Sequence, residues 1–102
     1  MPGQSHNKTC LHLVVTSRAE AVTRCADQIV DGDAVVFLDD GVMQFALPGQ
    51  LGHLQLDQAH FLKPDLEARG LPTTSSEQGW AVISDSEFVD MLELHPHCLT
   101  WK

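Results

Sequence analysis

Two apolar patterns alternate along the chain. Residues 11–15 (Leu-His-Leu-Val-Val) and 34–38 (Ala-Val-Val-Phe-Leu) are short, apolar and rich in β-branched side chains, the composition of strands. The second run is apolar without alternation, which marks a parallel strand covered on both faces. Between them Val22, Cys25, Ala26 and Ile29 recur at i, i+3, i+4 and i+7, one stripe of an amphipathic helix. Ser17 and Glu20 have the spacing of a capping box at its start. Gly32, just past its end, can take the left-handed conformation that stops a helix. Strand, helix and strand in this order predict a βαβ unit.

Asp39-Asp40-Gly41 closes that unit with a polar turn. Residues 42–47 begin a helix that Pro48-Gly49 breaks, and a further helical stretch leads to His60-Phe61-Leu62, a third strand. Pro64 suits the first turn of a helix, so 65–69 predict one short helix stopped by Gly70. Residues 72–79 read as a surface loop and 80–83 as a fourth strand. Ser84 and Glu87 repeat the capping-box spacing, with Asp85 as the competing cap. Phe88, Met91 and Leu92 stripe the last helix, Pro96 ends it, and 98–101 finish as a short strand. This alternation predicts a three-layer α/β/α sandwich around a mainly parallel sheet. Such folds place sites at the C-terminal ends of their strands, an edge that gathers Ser17, Asp39, Asp40, Lys63 and Asp85.

With 102 residues the chain supports a single domain, 1–102, with polar residues 1–8 expected to be flexible. No apolar run approaches the ~20 residues of a membrane span, and the N-terminus has no basic segment leading into an apolar one. The cytoplasm is the expected compartment. Cys10, Cys25 and Cys98 are widely spaced with no C-x-x-C pair, the pattern of free thiols in a reducing environment. A net charge of -8 with only 6 Lys plus Arg leaves no cation cluster to neutralise phosphates. Direct nucleic-acid binding by this chain alone is not expected.

Candidate chemistry is sparse. His95-Pro96-His97-Cys98 offers imidazoles and a thiolate that suit zinc, but no second ligand pair completes a recognised spacing, so no metal is expected. Asp39-Asp40-Gly41 resembles a magnesium-holding acidic turn, yet the phosphoacceptor Asp that such a site needs is missing. No G-x-G-x-x-G, P-loop or G-x-S-x-G occurs, and no cofactor is expected. Cys25 is either a persulfide acceptor or a buried hydrophobe, both being common fates of a free cysteine. Cys10 and Cys98 read as packing or incidental residues, with exposure left open for Cys98 near the C-terminus.

Leu11-His12-Leu13-Val14, then Cys25, then Asp31-Gly32-Asp33-Ala34 leading to Asp39-Asp40-Gly41-Val42, is similar to the first half of DsrH/TusB proteins. Asp65-Leu66-Glu67-Ala68-Arg69-Gly70, Phe88-Val89-Asp90-Met91 and the near-terminal Trp101 match the second half in order and spacing. The resemblance spans residues 11–101. It implies a DsrE/F/H-like, flavodoxin-like sandwich that assembles as a heterohexamer with DsrE/TusD-like and DsrF/TusC-like subunits. Such complexes pass persulfide sulfur between cysteines, for 2-thiolation of the tRNA wobble uridine in the TusB branch or for sulfur oxidation in the DsrH branch. The main sulfur-carrying cysteine of the family belongs to the DsrE/TusD-type subunit. A non-catalytic or carrier subunit fits this pattern better than an enzyme acting on its own.

Cys25 occupies the position of the cysteine typical of DsrH-type chains, which makes it the candidate persulfide carrier. Arg18 stands where the family usually has Pro, so the branch stays open. Two other readings also stay open. One is a stand-alone small-molecule-binding domain using the strand C-terminal edge, and the other is a stand-alone persulfide carrier. A homo-oligomer of the isolated chain is equally compatible with the sequence.

Overall fold

Short apolar runs pair side by side into one sheet, and the segments that connect them cover it. The structure is a computed structural model that describes residues 9–47, 51, 54, 58–74 and 80–102. Its elements are β1 (Cys10–Val14), α1 (Ala19–Gln28), β2 (Ala34–Phe37), a 3-10 helix (Asp39–Ala46), β3 (Ala59–Leu62), α2 (Lys63–Ala68), β4 (Ala81–Ile83), α3 (Asp85–Leu94) and β5 (His97–Trp101). The five strands form one sheet in the order β4-β3-β2-β1-β5, and every pairing is parallel.

This order decides the layers. From β1 to β4 the chain steps in one direction, so right-handed crossovers put α1, the 3-10 helix and α2 on one face. There Val22 and Cys25 of α1, Val42 and Leu66 pack on Val14, Val35, Phe37 and Phe61. The Phe37 and Phe61 rings stack with centroids 4.7 Å apart, and Phe45 of the 3-10 helix meets Phe61 edge-on. The return from β4 to β5 carries α3 across the other face. Phe88 and Met91 pack there on Leu11, Ala34, Val36, Leu62 and Ile83. The α/β/α sandwich read from the sequence is the observed architecture, with a sheet that is wholly parallel.

Local signals fared unevenly. At α3 the capping box forms as expected: Glu87 N–H donates to Ser84 Oγ at 3.2 Å, and Ser84 N–H donates to Glu87 Oε1 at 2.8 Å. At α1 it does not. Arg18 is the N-cap and no side chain caps it, while Thr16 Oγ1 accepts the Arg18 N–H just ahead of the helix. Glu20 pairs instead with the Arg18 guanidinium at 3.2 Å. Helix α1 also stops at Gln28, with Ile29 already extended. Gly32, at φ +91°, serves the turn into β2 rather than the helix end.

The helix expected over 42–47 starts earlier, at Asp39, and winds as 3-10. Asp39 opens it at φ +54°, and Gly41 passes so close to β1 that a Cβ there would overlap the Val14 carbonyl. The helical stretch expected before His60, residues 1–8 and most of the 72–79 loop lie outside the described residues.

Replacing Ser84 by Ala should lower stability by roughly 1 kcal/mol, whereas Ser17→Ala should stay within about 0.5 kcal/mol of the parent. Urea midpoints of the two variants measure the difference directly. Equal losses would mean that the helix starts are capped alike.

Candidate functional site

The chemistry-bearing side chains collect at the N-terminal end of β1, around a buried carboxylate. Asp33, the residue before β2, is 5% exposed. Its Oδ1 accepts the Cys10 N–H at 2.9 Å, and its Oδ2 accepts the Val30 N–H at 3.2 Å. The same Oδ2 lies 3.0 Å from His12 Nε2. His12 is itself buried on β1, and its Nδ1 takes the indole N–H of Trp101 at 3.0 Å. An indole can only donate, so Nδ1 is the acceptor and Nε2 carries the imidazole proton toward Asp33. Burial alone would raise the Asp33 pKa. The hydrogen bonds from His12, Cys10 and Val30 outweigh it and hold the carboxyl below its ordinary value.

Cys25 lies close enough to this network for the charges of Cys10 and Asp33 to act on its thiol. It is wholly buried on the sheet-facing stripe of α1, in the last turns of a helix that runs back along β1. Burial, with the neighbouring charges of Cys10 and Asp33 adding to it, pushes its thiol up to about 12. Cys10 is half-buried and Cys98 exposed. Both thiols are also raised, Cys10 chiefly by burial and by Asp33, Cys98 by burial. A persulfide moves when a thiolate attacks its outer sulfur and the donor cysteine leaves as thiolate. Burial and the neighbouring Asp33 charge thus hold the Cys25 thiol in its protonated, unreactive form. In this conformation it is a packing residue with no path to solvent.

The strand C-terminal edge holds a different arrangement. Arg69 reaches from the end of α2 to Asp39 Oδ1 and Asp40 Oδ1, each at 2.9 Å. The Asp39 N–H donates to Asp65 Oδ2 at 2.6 Å. The acidic turn is therefore occupied by the chain's own guanidinium. Ser17, Lys63 and Asp85 sit at the ends of β1, β3 and β4 and do not join this cluster. Cys25 belongs to the opposite end of the sheet from all five edge residues. On the 3-10 helix Gln44 is fully buried with neither amide atom hydrogen-bonded, a desolvation that costs roughly 1–3 kcal/mol. Among the described residues no group of three or more His, Cys, Asp or Glu is arranged to hold a metal ion, and no helix is long and apolar enough to cross a membrane.

Sequence reasoning passed over the His12–Asp33–Trp101 network as a unit, although all three residues lie in the segments that carry the family resemblance. Their sequence signals were a histidine inside an apolar strand and an aspartate directly before one. What joins them is strand adjacency: His12 and Trp101 stand 89 positions apart in sequence and meet only because β5 returns to the side of β1.

Fold and site together define a parallel-sheet α/β protein whose central thiol is sealed beside a buried carboxylate rather than displayed as a nucleophile. The chain belongs to the DsrH family, whose description, DsrH like protein, matches residues 16–97. It is 40% identical over 73 residues to Protein TusB of Pectobacterium atrosepticum, covering 69% of this chain and 76% of that protein. It is also 40% identical over 74 residues to Protein TusB of Pectobacterium parmentieri, covering 70% of this chain and 77% of that one.

Acid titration tests the network. Because the folded Asp33 pKa is depressed, its contribution is fully present above the unfolded carboxylate value of about 3.9 and is lost as pH falls through the folded one. Asp33→Asn leaves at least one buried N–H facing an amide NH₂, and should lower stability at pH 7 by roughly 1–3 kcal/mol. The variant should also show a shallower loss of stability below about pH 4. Urea unfolding from pH 7 to pH 2 measures both, and an unchanged acid limb in Asp33→Asn would remove Asp33 from the account.

Proposed function

We propose that this chain is a subunit of a sulfur-relay complex that assembles with DsrE/TusD-like and DsrF/TusC-like subunits and serves 2-thiolation of the tRNA wobble uridine. Membership of the DsrH family, with relatives named Protein TusB covering about three-quarters of their own length, is the observation that carries this reading. The acidic charge of -8 supports the same division of labour, since RNA contact then falls to another subunit.

Cys25 is the chain's own sulfur site in this proposal. Its burial dictates the condition. Sulfur reaches it only when α1 lifts from β1, an opening that uncovers the thiol and takes it away from the Asp33 charge. In the closed state the chain contributes assembly alone. The DsrH-like branch, sulfur oxidation, is the second reading, favoured by the presence of a cysteine at position 25. The stand-alone small-molecule reading needs an open strand edge, and Arg69 across Asp39 and Asp40 stands against it.

Two measurements test this. Deleting the gene should lower wobble 2-thiouridine, and the intact chain should restore it; undiminished 2-thiouridine would redirect the reading to the sulfur-oxidation branch. Intact-mass analysis after incubation with a persulfide donor addresses Cys25. A single added sulfur on wild type and Cys98→Ser, absent from Cys25→Ala, makes Cys25 a carrier. No uptake by any form, with Cys25 alkylated only after unfolding, confines the chain to assembly.

A further inference from the structure

The segment that follows β2 is held in a form that its own residues resist. It winds as 3-10 helix over 8 residues, Asp39–Ala46, where such runs rarely exceed three or four. Asp39 opens it at φ +54°, a left-handed conformation that is costly for any residue but glycine. In 3-10 winding, positions i and i+3 eclipse, which sets Gln44 in the row of Gly41. Gly41 lies so close to the Val14 carbonyl that a Cβ would overlap it. Gln44 is fully buried, and neither atom of its amide has a hydrogen-bond partner. A buried amide without partners forgoes the water it would bond in an opened segment. A left-handed aspartate, a long 3-10 run and an orphaned amide thus fall in one segment, and each is relieved when that segment leaves the sheet.

Helix α2 supplies what opposes this. Asp65 and Arg69 stand one helical turn apart and reach the segment side by side. Asp65 Oδ2 accepts the Asp39 N–H at 2.6 Å. One nitrogen of Arg69 donates to Asp39 Oδ1 and Asp40 Oδ1, each at 2.9 Å. Both residues stand on a firm post, since Leu66 of the same helix is fully buried in the core. The Arg69 side chain is 25% exposed and those of Asp39 and Asp40 71% and 70%, so the ion pairs are open to salt. The carboxylates of Asp39, Asp40 and Asp65 gather around this one guanidinium, and without it they repel one another. We propose that residues 39–46 form a strap across the C-terminal ends of β1 and β2, strained in its closed form and latched shut by Arg69. Release of Arg69 lets the strap lift and carries the Gln44 amide into water. It also uncovers the strand edge at which parallel α/β folds place their sites. The chain itself closes that edge until the latch is undone. The strap and its latch belong to this chain alone and do not rest on the relay reading.

Hydrogen exchange of the full chain, read by mass spectrometry on peptides covering 39–47, follows the strap directly. Arg69→Gln should speed exchange there by roughly three- to tenfold, while peptides from β1 and β2 stay as in the parent. Raising salt from about 0.05 M to about 0.5 M should shift the wild type in the same direction, a test that needs no substitution, and leave Arg69→Gln unmoved. Gln44→Met keeps the volume and removes the orphaned amide. It should slow exchange in the strap by roughly tenfold, and combined with Arg69→Gln it should bring exchange back toward wild type. Circular dichroism and urea unfolding verify that each variant is folded. If Arg69→Gln leaves strap exchange unchanged, or speeds it equally in every peptide, Arg69 is no latch and the proposal is overturned. If Gln44→Met speeds strap exchange instead, the amide holds the closed form and the strain argument fails.

Discussion

A carboxylate taken out of water must be surrounded by donors, and that requirement at Asp33 organises one whole end of this fold. Its two oxygens accept from the first amide of β1, from the loop after α1 and from His12. Through His12 the bonding continues to the indole of Trp101 on β5. The backbone carbonyl of Asp33 accepts from Gln58 just ahead of β3, and the Val30 carbonyl takes the same amide. One residue thereby fixes the entry to β2 and sets β3, β1 and β5 around it. Buried charges persist only when satisfied in this way, so the strands at this end have little freedom to shift register separately.

The same carboxylate shapes the sulfur chemistry. Cys10 and Cys25 lie near a fixed negative charge that, with burial, favours the protonated thiol. Reactive cysteines in other settings sit near cations or helix N-termini, where the thiolate is stabilised. Here Cys25 sits toward the C-terminal end of α1 with Asp33 as its neighbour, the reverse of that arrangement. Order at the N-terminal end of the sheet and reactivity at Cys25 are therefore in opposition. In the structure, burial and the Asp33 charge act together to keep the Cys25 thiol protonated.

The strands were legible because parallel strands buried on both faces spell continuous apolar runs, as at Val35, Val36 and Phe37. The stripe of α1 and the cap of α3 were legible because both depend on residues a few positions apart. The start of α1 was not, since the helix begins one residue later than the Ser17–Glu20 spacing indicates, with Arg18 as its N-cap and no side-chain cap. Nor was the 3-10 winding after β2, where Gly41 passes close beside the Val14 carbonyl. The site was the least legible part. Asp33 is conspicuous only once β1, β2 and β5 are neighbours, and Cys25 reads equally as core or carrier until α1 is seen lying on the sheet.

Strand order also accounts for the uneven cover of the two faces. Three consecutive steps in one direction place α1, the 3-10 helix and α2 on a single face, and that face holds the larger apolar cluster. One return step leaves α3 as the helix described on the other face, over a cluster of five buried residues. Lying beside β1, where Trp101 reaches His12, β5 is an edge with no strand beyond it among the described residues. The strand that completes the buried network is thus also the border of the sheet. Thiol burial at one end and incomplete cover at the β5 side are two results of one topology.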